Sequence, residues 1–281
     1  SIGWVMSEEK FFRPLKSVVS FLKLRASVGL VGNDKIGGSR FMYTANPYHV
    51  NLNGYVSNSG YGTGNLAQLQ AAYGYLFGQG GQTSTVSLGA HEWAINNANV
   101  TWEKAFKQNY GVDINFLNDR LSATIEYYKE HRWDILLQDG TAPSMLGFAQ
   151  PFSNLGEVNN WGWELSLKWN DKIGKDFRYY IRPNLTFSRN RLEYKAEVAR
   201  KNSWRKETGK RLYENFVYVF DHFVANQDEA DRLNKIGYQP WGQLIPGDVV
   251  YKDLDRNGVI DDEDRTAMGN PRSPELMFGI P

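Results

Sequence analysis

Apolar and polar side chains alternate at period two along several stretches of this chain. Leu22, Leu24, Ala26 and Val28 fall on one face, and Lys23, Arg25 and Ser27 on the other. Tyr110, Val112, Ile114 and Phe116 oppose Gly111, Asp113 and Asn115, and Leu121, Ala123, Ile125 and Tyr127 oppose Ser122, Thr124 and Glu126. Trp161, Trp163, Leu165, Leu167 and Trp169 oppose Gly162, Glu164, Ser166 and Lys168. Phe177, Tyr179, Ile181, Leu185 and Phe187 continue the pattern against Arg178, Arg182, Asn184 and Thr186. Successive side chains of a strand point to opposite faces, so each stretch reads as a β-strand with one apolar and one polar face.

The connections between these strands alternate in length. Leu117–Arg120 and Asn170–Asp176 are short, whereas residues 30–107, 136–158 and 193–275 are long. Outer-membrane barrels combine short periplasmic turns with long extracellular loops, and a soluble sandwich has no reason to gather its long connections at one end. The pattern therefore predicts an all-β, antiparallel transmembrane β-barrel. Residues 51–90 are rich in Gly, Asn, Ser, Gln and Tyr, which suits a surface that hydrogen-bonds and stacks on a polar ligand. Within the last long loop, Asn226–Ile236 reads as a short helix with Asp228, Glu229 and Asp231 near its start.

Composition agrees with a strand-rich envelope protein. Sixteen Tyr, 15 Phe and 9 Trp make 14% of the 281 residues aromatic, and such residues favour strands and membrane–water interfaces. No apolar run of about eighteen residues occurs, which excludes a transmembrane helix but not a barrel, whose strands are only about ten residues long. A net charge of +1 gives no field that would draw nucleic acid. The absence of cysteine excludes disulfides, zinc–thiolate sites and a thiol nucleophile. Ser1–Trp4 has neither a basic segment nor an apolar one and is not a signal peptide.

The most specific chemistry lies in residues 253–264. Asp253, Asp255, Asn257, Asp261 and Asp264 place oxygen side chains at positions 1, 3, 5, 9 and 12, with Gly258 at position 6. Ca²⁺ takes six to eight oxygen ligands, and this is the spacing of an EF-hand-type calcium loop. The expected ligands are the side chains of Asp253, Asp255, Asn257 and Asp264 and the Val259 carbonyl, with Asp261 direct or through water. Such an ion would be structural, and Ile260 should tuck inward to anchor the loop. The same turn could instead be held by side chain–backbone hydrogen bonds without metal. His49, His91, His131 and His222 share no metal-ligand spacing, and no Gly-x-Ser-x-Gly elbow, P-loop or HExxH helix occurs, so no enzyme activity is expected.

Several stretches, in order along the chain, resemble SusC-like TonB-dependent outer-membrane transporters. They include Leu22-Lys23-Leu24-Arg25-Ala26-Ser27 with Gly32-Asn33, Trp102-Glu103-Lys104, and Asn109-Tyr110-Gly111-Val112-Asp113. Asn154-Leu155-Gly156-Glu157-Val158-Asn159-Asn160-Trp161-Gly162-Trp163-Glu164 and residues 246–271 around the calcium-like motif complete the match. The resemblance implies that residues 1–281 are part of a roughly 22-stranded barrel, with the plug domain and final strands outside this chain. It further implies import of oligosaccharides or peptides across a Bacteroidetes-type outer membrane on TonB-derived energy. The implied partners are a SusD-like surface lipoprotein, the TonB complex through the plug, the cargo, and outer-membrane lipid. The alternative reading is a secreted, calcium-stabilised β-rich glycan-binding module.

Overall fold

The computed structural model describes residues 1–34, 48–49, 74–77, 85–88, 91–92, 97–141, 145 and 152–280. Most of the Gly- and Asn-rich stretch 51–90 lies outside the described residues. Among the described residues, sixteen strands follow in chain order. They begin with β1 (Ile2–Val5), β2 (Val19–Asn33), β3 (Tyr48–His49), β4 (Gly74–Phe77), β5 (Thr85–Leu88), β6 (His91–Glu92), β7 (Glu103–Phe116) and β8 (Leu121–Gln138). They continue with β9 (Phe152–Ile173), β10 (Phe177–Ile181), β11 (Asn184–Tyr194), β12 (Glu214–Tyr218), β13 (Phe220–Phe223), β14 (Val249–Tyr251), β15 (Arg265–Pro271) and β16 (Leu276–Gly279). Among the described residues, one α-helix, α1 (Gln227–Lys235), lies between β13 and β14.

The chain divides into two compact units. The smaller comprises Lys35–Thr101 and Leu136–Asn154, where β3 pairs with β6 and β4 with β5. Asn154 closes it locally, accepting from the Thr101 N–H and donating to the Thr101 carbonyl, both at 2.9 Å. The larger unit holds an eight-stranded antiparallel sheet in the order β1-β2-β7-β8-β9-β11-β16, with β10 pairing to β9. That is the predicted all-β antiparallel wall, left unclosed.

The pairing register carries the alternation across the sheet. Trp4, Leu24, Val112 and Ile125 form one row, and Ile2, Ala26, Tyr110 and Tyr127 the next on the same face. Leu165, Leu185 and Phe278 form a third such row. The opposite face is polar and internally paired. Arg25 donates to Asp113 at 2.8 Å and to Glu126 at 2.7 Å, and Thr124 donates to Asp113 at 3.2 Å. The guanidinium lies flat over Gly111, where an added Cβ would stand 2.9 Å from the Arg25 Cζ. Tyr128 crosses Gly162 in the same way to donate to the Ser188 hydroxyl at 2.8 Å. An apolar face left open, with Ile125 45% and Phe278 79% exposed, against a polar face sealed by ion pairs inverts the layout of a soluble sandwich. It suits a wall with hydrocarbon outside and a polar lumen inside.

Two strand boundaries differ from the sequence expectation. The connection expected over residues 136–158 shrinks, because β8 runs on to Gln138 and β9 starts at Phe152. These strands are 18 and 22 residues long, about twice what a tilted strand needs to cross a bilayer. Their upper parts have polar groups on the outward face: His131 bonds Asn159 at 2.9 Å, and Asn159 bonds Glu193 at 2.8 Å. The backbone ladder persists there after the hydrophobic alternation has ended. The stretch 177–187, read as one strand, is broken at Pro183, which has no N–H to give the ladder; its carbonyl still accepts from Leu167 at 3.0 Å.

Candidate functional site

The long connection between β11 and β16 folds into a small structure of its own. β12 pairs with β15 and β13 with β14, and α1 packs beside them. The helix starts where the sequence places it: the Asn226 side chain accepts from the Glu229 N–H at 2.9 Å, satisfying one orphan donor of the first turn. Asp228 and Glu229 in that turn, with Arg232 and Lys235 in the last, complement the helix dipole. Ala230 and Leu233, one turn apart, bury against Val224, Leu244 and Val250, with Tyr238 at the margin. Asn234 fastens the far side, donating to the Leu244 carbonyl at 2.9 Å and accepting from its N–H at 2.7 Å.

On this support sits the acidic loop. Ile260, 1% exposed, plugs into the structure as expected, and its N–H donates to the Tyr238 carbonyl at 2.6 Å. Arg256 and Gly258 both have positive φ, 60° and 94°, so the chain doubles back on itself here. Asp253 accepts from the N–H groups of Asn257 at 3.1 Å and Gly258 at 2.7 Å. Asp264 is fully buried and accepts from the N–H groups of Leu254 at 2.7 Å and Asp261 at 2.8 Å. These bonds gather the carboxylates of Asp253, Asp255 and Asp264 so that one oxygen of each lies within 4.8 Å of the others.

Asp261 and Asn257, also expected as ligands, make further contacts within the loop. Asp261 caps the short 3₁₀ turn Asp262–Asp264, accepting from the Glu263 N–H at 2.7 Å, and also accepts from the Asn257 amide at 3.1 Å. The Asn257 side-chain oxygen accepts from the Val259 N–H at 2.9 Å. Asp261 thus stands outside the carboxylate trio, at a loop position where calcium loops often coordinate through water. The nearest recorded counter-charge is Lys201, 3.5 Å from Asp255, and it is largely exposed. Burial, followed by the Asp253 charge, pushes the neighbouring Tyr238 phenol above its ordinary pKa, so the negative field of the loop reaches past its own side chains. Three part-buried or buried carboxylates, with a solvent-exposed lysine beside Asp255, are an oxygen set that suits a hard divalent cation.

A second feature of this small structure was not predicted from sequence. Tyr218, Trp241 and Tyr251 form a cluster with ring centroids 5.0–5.8 Å apart, and Arg265 lies 4.9 Å over the Tyr218 ring. Trp241 remains 51% exposed and lines a cavity of about 280 Å³ together with Tyr251, Gln239, Gln243 and Asp248. Gln239 is held in place by accepting from the Tyr251 N–H at 3.3 Å. An exposed ring face beside two amides and a carboxylate can stack on a polar ligand and hydrogen-bond it. The three rings are distant in sequence and meet only because β12, β14 and the turn before β14 converge. The one local signal was Trp241 between Pro240 and Gly242, a large aromatic in a turn.

Comparison with known proteins agrees with this architecture. A family profile described as TonB dependent receptor-like, beta-barrel, matches residues 27–267. TonB-dependent receptor P39 of Formosa agariphila is 26% identical over 96% of the chain, and TonB-dependent receptor SusC of Bacteroides thetaiotaomicron 27% identical over 99%. The chain spans about a quarter of those relatives, 26% and 25% of their lengths. The solved RagAB peptide transporter matches in fold with a TM-score of 0.61 and 19% identity, over 99% of this chain and 26% of that one. The same importer in its open-open state also gives 0.61, at 16% identity. The matched family comprises receptors and transporters rather than enzymes. With an apolar outer face, a polar inner face and long connections at one end, this chain belongs to the TonB-dependent receptor-like β-barrel family and forms part of the wall of a SusC-like barrel in the outer membrane.

Proposed function

We propose that the chain supplies wall strands and extracellular loops to an active importer of oligosaccharides or peptides, driven by TonB and closed from outside by a SusD-like lipoprotein. The family match over residues 27–267 carries this reading. The likeness to SusC and, in fold, to a solved peptide transporter supports the transporter reading. The aromatic cavity of Trp241, Tyr251, Gln239 and Asp248 suits a first contact for either cargo, since sugar rings and peptide side chains both stack on exposed aromatic faces. A plug and a TonB-contact segment, on this reading, lie elsewhere in the protein. Ca²⁺ is the proposed ion of the 253–264 loop, with Asp253, Asp255 and Asp264 as its anionic ligands and Asn257, Val259 and Asp261 completing the shell. It would neutralise the carboxylates and stiffen the segment between β14 and β15.

Uptake of fluorescently labelled oligosaccharides and oligopeptides by cells carrying the intact transporter tests the proposal. Import of one class should cease when TonB is deleted and fall when Trp241 is changed to Ala. Import that persists without TonB, or of neither class, would overturn it.

A further inference from the structure

The outward face of the wall is not uniform. A groove of about 520 Å³ opens on it, walled by Ile2 and Trp4 of β1 on one side and by Tyr110 and Tyr127 of β7 and β8 on the other. Its floor lies along β2 and β7, where Ala26 sits in register between Ile2 and Tyr110. A methyl group between two large side chains leaves a trough running along the strand. The trough is dry in character. Arg25, whose backbone borders it, turns its guanidinium to the opposite face, towards Asp113 and Glu126. The side-chain polar atoms of the groove's apolar lining are the two tyrosine hydroxyls and the Trp4 indole N–H, which is already engaged, donating to Glu9 at 3.1 Å.

One step further towards the extracellular end, polar side chains join the same face. The next outward row above Tyr110 and Tyr127 holds Val28, Gln108 and Lys129. Gln108 accepts from the Tyr110 hydroxyl at 3.4 Å, which fixes the rim. Lys129 is exposed and, among the described residues, has no carboxylate partner. This contrasts with Lys107, whose side chain faces the lumen and pairs with Glu130 at 3.4 Å. An unpaired ammonium at the upper end of an apolar trough, with two phenols at its mouth, is complementary to an amphiphile with hydrocarbon below and negative charge above.

We propose that this groove is a specific lipid site, holding one acyl chain of a phosphorylated outer-leaflet glycolipid, with its phosphate against Lys129. The hydrocarbon lies along Ala26 between Trp4 and Tyr110, and the Tyr127 hydroxyl sits at the head-group level. The direction follows from the topology. The tight turn Leu117–Arg120 marks the periplasmic end of β7 and β8, so Lys129 faces the outer leaflet. A bound lipid would fill the depression beside β1 and pack against Ile2 and Trp4. The site depends on the wall's orientation in the membrane and not on the nature of the cargo.

Native mass spectrometry of the intact transporter tests the site. The protein is stripped of lipid in detergent, then given lipid A or its dephosphorylated form. Wild type should take up lipid A in preference to the dephosphorylated probe. Lys129→Gln should lower lipid A occupancy about five-fold, the weight of one basic residue at an anionic membrane surface, and leave the dephosphorylated probe unaffected. Ala26→Phe, which fills the trough with a side chain the membrane tolerates, should lower both. Heat-modifiable migration checks that each variant barrel is folded, and Lys129→Gln, a surface change, decides the matter if Ala26→Phe is not. Equal lipid A binding by wild type and folded Lys129→Gln would overturn the proposal, as would a wild type indifferent to the phosphate. Loss of a protein subunit rather than a lipid from Ala26→Phe would overturn it too, in favour of a protein contact on this face.

Discussion

Asp264→Asn separates a metal-held loop from one held by hydrogen bonds alone. The substitution keeps side-chain volume and removes one charge. The wild-type carboxylate accepts two backbone N–H bonds, from Leu254 and Asp261, in a site with no solvent exposure. An amide has one acceptor oxygen, so one of those N–H groups is left facing another donor, at a cost of about 1.5–3 kcal/mol. Against this, the variant relieves repulsion among three carboxylates whose oxygens lie within 4.8 Å of one another. At an effective dielectric near 20, one such pair is worth about 3 kcal/mol, and the substitution removes two of the three pairs. In chelator the relief outweighs the lost hydrogen bond, and Asp264→Asn should be no less stable than wild type.

Calcium changes the balance, because the bound ion turns mutual repulsion into attraction. With a dissociation constant of about 10⁻⁴ M, ordinary for extracellular calcium modules, about 2 mM Ca²⁺ should stabilise the closed loop by about 1.8 kcal/mol. Hydrogen exchange of residues 253–264 in the intact transporter reads this directly. Wild-type exchange should slow about twenty-fold on adding calcium, and Asp264→Asn exchange should not change. Wild-type exchange at one rate in chelator and calcium refutes the metal reasoning. So does equal calcium protection of both proteins. A loss in chelator as large as that in calcium would show that the hydrogen bonds alone hold the loop.

Three further outcomes follow from the wall and the loop domain. Leu165→Arg, in the outward row with Leu185 and Phe278, should destabilise the refolded barrel by about 2–4 kcal/mol in a urea titration in lipid, whereas Glu164→Gln on the polar face should change it little; a neutral Leu165→Arg would mean that this face does not meet hydrocarbon. Gly162→Ala places a methyl against the Phe187 carbonyl and the Tyr128 ring, so it should lower stability by about 1–3 kcal/mol, and Tyr128→Phe should not restore it, because the backbone clash remains. The hydrogen bond to Asp221, and then that to Glu229, raise the His222 pKa above its ordinary 6.5. Because the folded pKa is the higher one, this contribution is complete below about pH 6.5 and disappears as pH rises through the folded value. Exchange in α1 should therefore quicken over that window in wild type, and not in His222→Asn.

Much of the wall was legible in sequence, since period-two alternation is a local property that follows from strand geometry. Leu24, Val112 and Ile125, or Leu165 and Leu185, were each assignable to the outward face before any pairing was known. The calcium-like spacing of Asp253, Asp255 and Asp264 was legible for the same reason: a tight loop brings near neighbours together. The α1 start at Asn226 was equally local, being a capping residue followed by acids.

Tertiary structure decided what depends on partners distant in the chain. The strands outrun their hydrophobic pattern because ladder hydrogen bonds need no apolar side chain, so β8 and β9 extend to Gln138 and back to Phe152. Asp261 also serves as the cap of the following 3₁₀ turn, a contact that ligand spacing does not show. The aromatic cavity exists only where β12, β14 and Trp241 converge, and the outward groove only because register sets the small Ala26 between Ile2 and Tyr110. A sequence fixes which face a strand residue takes, because that is set by its own backbone. Which side chains stand beside it across the sheet is set by register, and register is a property of the whole fold.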